Sequence, residues 1–262
     1  MKKTLKFLPN IYIGLILLFL LIPIVSVIVF SFNEIESLSH WGGFSLRWYG
    51  ELFNNRDVME VIIDTVLIAT VSTVTSTIIG TFAAISLTRQ RRVFRETFRT
   101  INTIPIITPE IITAIALFVF FGAFAIQRGM ATLLLAHIAF STPYVIIAVY
   151  PKIVRLDPNI LDAAYDLGAT PVNALFKVIL PQLKGSIFAG AAIAFTMSFD
   201  DFIISLFASG GTVRNISIYL YTLRRGIPPT MNALSTFIVL AIGVKVVIDY
   251  IKGRRTTNKE ED

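Results

Sequence analysis

The chain of 262 residues has no cysteine and only two histidines. The first lack excludes a disulfide framework, a thiolate metal site and a cysteine nucleophile, and two isolated histidines are too few for a histidine-based metal site. Charged residues are also scarce, at 15 % against 55 % apolar, which is not the composition of an ordinary soluble domain. Internal repeats, low-complexity linkers and any nucleophile–base pairing are missing, so a membrane enzyme is the least supported class. The net charge of +6 forms no basic stripe in a soluble domain, so nucleic acid is not an expected partner.

What is present is a set of long apolar runs. Six are long enough to cross a hydrocarbon core of about 20 helical residues: 11–32, 61–87, 101–125, 130–150, 186–208 and 231–251. The first exceeds a secretory h-region and no small-residue cleavage site follows Phe32, so it reads as a retained helix. With both termini in the cytoplasm, sixteen Lys and Arg fall inside and six outside, as the positive-inside rule favours. The expected fold is an all-α integral membrane protein of six transmembrane helices forming one domain over 1–262. A polar, disordered tail is expected over 256–262. Small residues at Gly80 and Ala84, and at Gly185, Ala189, Gly190 and Ala194, predict close helix contacts.

Acidic residues inside the runs are costly, about 2.5 to 3.5 kcal/mol each at the bilayer centre, and normally functional. Asp249 follows Lys245 by four residues, so the two are expected to pair. Asp64 lies near the start of its run and reads equally as an interface or a path residue. Glu110 falls near mid-run, after Pro105 and Pro109, which free the carbonyls of Ile101 and Pro105 and make an acceptor-rich patch. Asp200 and Asp201 stand beside Thr196 and Ser198, about 100° apart on a helix, and both can face one cavity. No matching basic residue lies at mid-depth. A watery cavity awaiting a cation is the sharper reading; neutralisation by a partner subunit's arginines, or protonation, is the alternative. In the outer loop, Trp41, Trp48 and Tyr49 suit interfacial anchoring, or stacking of Trp48 on an arriving cation.

Between two runs lies a segment, 162–181, too polar to enter a membrane. Asp157 as N-cap and Pro158 as first helical residue predict a helix to about Leu167, and Gly168 should end it in the left-handed conformation. Thr170–Pro171 repeats the start signal for a second short helix to about Leu180, with Pro181 before the next run. Ala163, Ala164 and Gly168 lack bulk and permit close approach, while Asp162 and Asp166 share a face for a basic partner. An ordinary connecting loop is the plain alternative.

The order Asp162-Ala163-Ala164, Gly168, Val178, Leu180-Pro181 resembles the Glu-Ala-Ala signature of ABC-importer permeases, with Asp162 for Glu and Val178 for Ile. The stretches Thr-Pro-Glu-Ile at 108–111, Ser-Phe-Asp-Asp at 198–201 and Ile-Pro-Pro-Thr-Met-Asn-Ala-Leu-Ser-Thr at 227–236 narrow the resemblance to permeases of spermidine/putrescine importers. It implies the type I importer permease fold, multi-pass in a bacterial inner membrane, with residues 151–185 as a cytoplasmic coupling loop. It also implies a second, different permease, an ATPase dimer and an extracytoplasmic polyamine-binding protein as partners. No G-x-x-x-x-G-K-[ST] loop occurs, so ATP and Mg would belong to the ATPase, and this chain needs no cofactor or metal. Glu110, Asp200 and Asp201 match carboxylates of the polyamine path, with Ser198 and Trp48 as further candidates. Arg214, Arg224 and Arg225 fit that path poorly and are expected to face the binding protein. Competing readings are an ABC permease for another solute and an ion-coupled secondary transporter.

Overall fold

The computed structural model describes residues 7–157, 159–223 and 228–260, and within them the side chains of all but 7–10, 245–247 and 249–260. The Lys245–Asp249 pair, Pro158, Arg224 and Arg225 therefore lie outside the described residues. The architecture is helical, and among the described residues the only β pairing is an isolated bridge between Asn33 and Phe44. The chain divides into two units, residues 1–59 with 223–262, and residues 60–222.

In the first unit, α1 (Phe7–Phe30) and α2 (Arg47–Asn54) both pack on α12 (Pro229–Glu260). Helix α1 carries the twenty-residue, largely apolar stretch Ile11–Phe30, none of it buried by protein, the exposure expected of a lipid-facing span. The loop before α2 is built around Asn33. Its side-chain amide donates to the carbonyls of Ser37 (2.9 Å) and His40 (2.8 Å), and its Oδ1 accepts from Gly42 N–H (2.8 Å). Helix α12 continues to Glu260, through most of the segment expected to be a disordered tail.

The second unit takes in most of α3 (Arg56–Thr88), then α4 (Arg92–Ile107), α5 (Glu110–Ala123), α6 (Met130–Val154) and α7 (Asn159–Asp166). It continues through α8 (Pro171–Ala174), a π-helical turn (Leu175–Ile179), α9 (Leu180–Phe199), α10 (Ile203–Ala208) and α11 (Ile216–Thr222). Helices α3, α6 and α9 pack through small residues. A Cβ on Gly80 would stand 2.7 Å from that of Val145, and one on Gly190 would stand 3.2 Å from Val145 Cα. Ala84 and Ala194 are buried in the same cluster, whereas Gly185 and Ala189 are exposed. A second apolar cluster, with Ile68, Ala114, Leu133, Phe140 and Ile204, joins α3, α5, α6 and α10.

Among the described residues, four segments are long and apolar enough to cross a membrane: Ile11–Phe30, Arg56–Thr88, Met130–Val154 and Pro171–Phe199. The run expected at 101–125 is not one straight helix. Its halves, α4 and α5, meet at 106°. Pro109 denies the α region to Thr108, which sits extended at φ −79°, ψ 134°, and offers no amide to continue the ladder. Similarly, the run expected at 186–208 ends as a helix at Phe199 and resumes at Ile203. The separate short helix expected to stop before Pro181 instead runs on as Pro171–Phe199. At the π turn Leu180 N–H donates to Leu175 C=O, five residues back, and this widened turn makes room for the Pro181 ring, which would clash in a regular helix.

Candidate functional site

The breaks gather the acidic residues of the second unit. Glu110 is the first residue of α5, exposed, and lines a cavity of about 200 Å³ with Thr108, Thr113, Phe140, Tyr144 and Ile204. Its depth cannot be counted along a straight helix from Ile101, because the chain turns at Thr108–Pro109. Asp200 ends α9 and is exposed.

Asp201 differs from both, being 3 % exposed. Its Oδ2 accepts from the N–H (2.7 Å) and Oγ–H (2.6 Å) of Ser205, and its Oδ1 accepts from Ile204 N–H (3.3 Å), so it caps the first free amides of α10. The Glu110 carboxyl lies near those of Asp201 and Asp200. Two carboxyls that close repel unless a proton or a cation lies between them.

The expectation that the chain supplies no basic partner for these acids is corrected by His137. It is 0 % exposed, and its Nε2 lies 3.3 Å from Asp201 Oδ2 and 2.9 Å from Ser205 Oγ, while its Nδ1 lies 2.6 Å from Ser198 Oγ. Ser198, 2.9 Å from Ser72 Oγ, is thus a buried link between α9 and α3 and does not border the cavity. Asn215 closes the network, donating to Asp201 C=O (2.7 Å) and Ser205 Oγ (2.8 Å). The apolar stripe Leu133, Ala136, Phe140 at helical spacing was the sequence signal that His137 faces the core.

Hydrogen positions follow from counting donors. Ser205 spends its hydroxyl hydrogen on Asp201, so Nε2 of His137 faces only acceptors and must carry a hydrogen. Ser72 makes its shortest contact, 2.6 Å, with Ile68 C=O. Its hydrogen points there, and Ser198 Oγ lies between Ser72 Oγ and Nδ1 of His137, bridging the two. Ser198, His137 and Asp201 have the outline of a hydrolytic triad, but all three are sealed from solvent, with no space for a substrate beside Ser198 Oγ.

Trp48, in the first unit, is 2 % exposed and donates from Nε1 to Asn33 C=O at 2.5 Å. The guanidinium of Arg47 already sits 4.7 Å over its ring. Trp48 therefore holds the loop before α2 together.

The polar segment folds as its signals predict. Gly168 is left-handed at φ +79°, and its N–H donates to Tyr165 C=O (2.8 Å) while Ala169 N–H donates to Ala164 C=O (3.0 Å), a complete Schellman motif. Thr170 Oγ1 accepts from Asn173 N–H (3.3 Å) as an N-cap. Asp162, Ala163, Asp166 and Gly168 are exposed, but Ala164 is buried against the chain itself and offers no close approach. Leu167, 89 % exposed, is an apolar projection beside them that no local sequence signal marks. Val178 and Leu180 are half-buried and Pro181 is exposed. A larger cavity, about 720 Å³, lies beside this segment between Arg95, Arg99, Tyr150, Arg155 and Leu161.

Helical spans broken at acidic residues, with a capped helix pair outside them, define a multi-pass membrane transport component. Residues 76–256 match the family described as binding-protein-dependent transport system inner membrane component, and the chain belongs to it. Among its relatives is the putrescine transport system permease protein PotI of Escherichia coli, 36 % identical over 235 residues, covering 86 % of this chain and 83 % of that one. The spermidine/putrescine transport system permease protein PotC of Haemophilus influenzae is 33 % identical over 253 residues, covering 96 % and 98 %. In fold, the chain matches a bacterial ABC transporter involved in import of the acidic polysaccharide alginate. The TM-score is 0.72 at 15 % identity, over 97 % of this chain and 96 % of the other.

Proposed function

We propose that this chain is a transmembrane permease subunit of an ATP-driven importer of polyamines, spermidine or putrescine, in a bacterial inner membrane. It crosses six times with both termini in the cytoplasm, and forms the path with a second permease. An extracytoplasmic binding protein delivers the cargo, and a separate ATPase dimer holds ATP and Mg. The observation that carries the reading is the exposed Glu110 carboxyl at a cavity lined by Phe140 and Tyr144, with the exposed Asp200 carboxyl as a second acid of the same unit. Such a lining suits an ammonium group, which donates hydrogen bonds to carboxylates and is attracted by aromatic faces. The names of PotI and PotC support the same cargo class.

In this reading the segment from Asp162 to Pro181 docks on the ATPase, and nucleotide-driven closure favours the outward-open state of the path. The cargo exchanges its hydration for contacts with Glu110 and Asp200, and hydrolysis returns the subunit to the inward-open state. The test is uptake of radiolabelled putrescine and spermidine by the assembled complex carrying Glu110→Gln. Uptake should fall at least tenfold with the complex still assembled; undiminished uptake removes the carboxylate path. The chain of hydrogen bonds from Ser72 through His137 to Asp201 also favours a second reading, a proton-coupled transporter. Uptake that survives loss of the ATPase and collapses with the proton gradient would select it.

A further inference from the structure

Helices α4 and α6 change character at the same level. Asn102 Nδ2 donates to Pro143 C=O (3.4 Å) and the Arg99 guanidinium lies 5.1 Å over the Tyr150 ring, so the two helices run antiparallel. From Thr100 to Ile107, and from Met130 to Tyr150, neither has a Lys, Arg, Asp or Glu. Beyond the Arg99–Tyr150 contact stand Arg92, Arg95 and Glu96 on one and Lys152 and Arg155 on the other. For helices in a bilayer this switch marks the level where hydrocarbon gives way to headgroups, and an aromatic ring such as Tyr150 is expected there.

A groove between the helices straddles that level. Its two cavities, about 720 and 370 Å³, share Glu96, Arg99, Tyr150 and Pro151 in their walls. The larger is lined by Arg95, Arg99 and Arg155. The smaller passes Ile146 and the exposed Ile147, and its Thr100 and Thr103 donate their hydroxyls to α4's own carbonyls, at Glu96 (3.0 Å) and Arg99 (2.8 Å). Acids do not match the arginines. Glu96 accepts from Arg99 (3.0 Å) but stands 3.7 Å from Arg95 Nε, whose buried N–H has no acceptor. Asp157 Oδ1 accepts from the N–H (2.9 Å) and Nδ2 (3.0 Å) of Asn159, and among the described residues Arg155 has no acidic partner.

We propose that this groove holds an anionic phospholipid, its headgroup phosphate taken by Arg95, Arg99 and Arg155 and an acyl chain lying along Ile146 and Ile147. One carboxylate cannot serve three guanidiniums; a phosphodiester brings the missing charge and acceptor oxygens. A choline headgroup would add a positive charge among the arginines, so an anionic lipid is preferred. The inference rests on α6 crossing the membrane and not on which cargo is carried.

The experiment places the photo-cross-linker p-benzoylphenylalanine at Ile147 in the assembled complex, in vesicles of equal dioleoylphosphatidylglycerol and dioleoylphosphatidylcholine, and reads adducts on this chain by mass spectrometry. Phosphatidylglycerol should be captured at least threefold over phosphatidylcholine. The same cross-linker at Leu135, exposed on α6 away from the arginines, should capture the two evenly. Arg95→Gln with Arg155→Gln, which leaves Arg99 on Tyr150, should bring the Ile147 ratio below twofold. A lower wild-type ratio, equal enrichment at Leu135, or a ratio of twofold or more in the double variant overturns the proposal. An adduct to the ATPase or another subunit in place of lipid overturns it too. So does loss of phosphatidylglycerol capture on adding inorganic phosphate at constant ionic strength, which would make the occupant a free anion. Should the double variant fail to assemble, Arg155→Gln alone, at an exposed side chain, should at least halve the ratio, and a smaller fall overturns the proposal.

Discussion

At the scale of single residues, burial separates side chains that composition treats alike. Glu110 and Asp201 are both acids in apolar runs, yet one borders a cavity and the other caps a helix and faces a histidine. Asp201→Ala should therefore reduce the amount of folded subunit recovered in detergent, because breaking one side of a buried pair costs about 3–5 kcal/mol. Glu110→Gln should leave that yield unchanged. Trp48→Phe keeps the ring but loses the N–H donated to Asn33, and should lower the melting temperature in a thermal scan, at about 1–2 kcal/mol. Much of this was legible: the acidic positions stand out because charge in an apolar run is expensive. His137 was not, because its partners lie 61 and 68 residues away and a lone histidine on an apolar face carries no periodic signal of its own.

At the scale of elements, local start and stop chemistry was readable where backbone rules decide. Gly168 and Thr170 do as glycine and threonine do at helix ends. Gly168→Val should weaken co-purification of the ATPase severalfold, since a β-branched residue resists φ near +79°, whereas Gly168→Asn, more tolerant of that region, should lose less. Equal association of both variants with the ATPase would count against docking at this turn. The sharp bend was not readable, because apolarity runs straight through Thr108–Pro109 while the geometry does not. Pro109→Ala restores an amide and frees Thr108 to turn helical, so α4 and α5 should straighten. The chain has no cysteine, so spin labels on cysteines placed at Thr100 and Leu117 can report the distance, which should lengthen.

At the scale of the whole molecule, apolar length reported the membrane but not the number of crossings. Four segments pass by length and composition, a bent pair stands where one span was expected, and the last helix is apolar over Pro229–Val244. The glycine spacing was more exact, because only a missing side chain lets α3 approach α6 so closely. Gly80→Leu should destabilise the second unit by about 1–3 kcal/mol through overpacking on Val145, read as faster loss of the monodisperse peak on heating.

Pro171–Phe199 is one 29-residue rod, about 44 Å long at 1.5 Å per residue, with Thr170 at one tip and Asp200 at the other. A stop at Pro181 would have left a flexible joint between them. Because the helix is continuous through the widened turn at Leu175–Ile179, a tilt applied at Val172 carries along one element to Asp200, so the pose of the acid follows the polar segment.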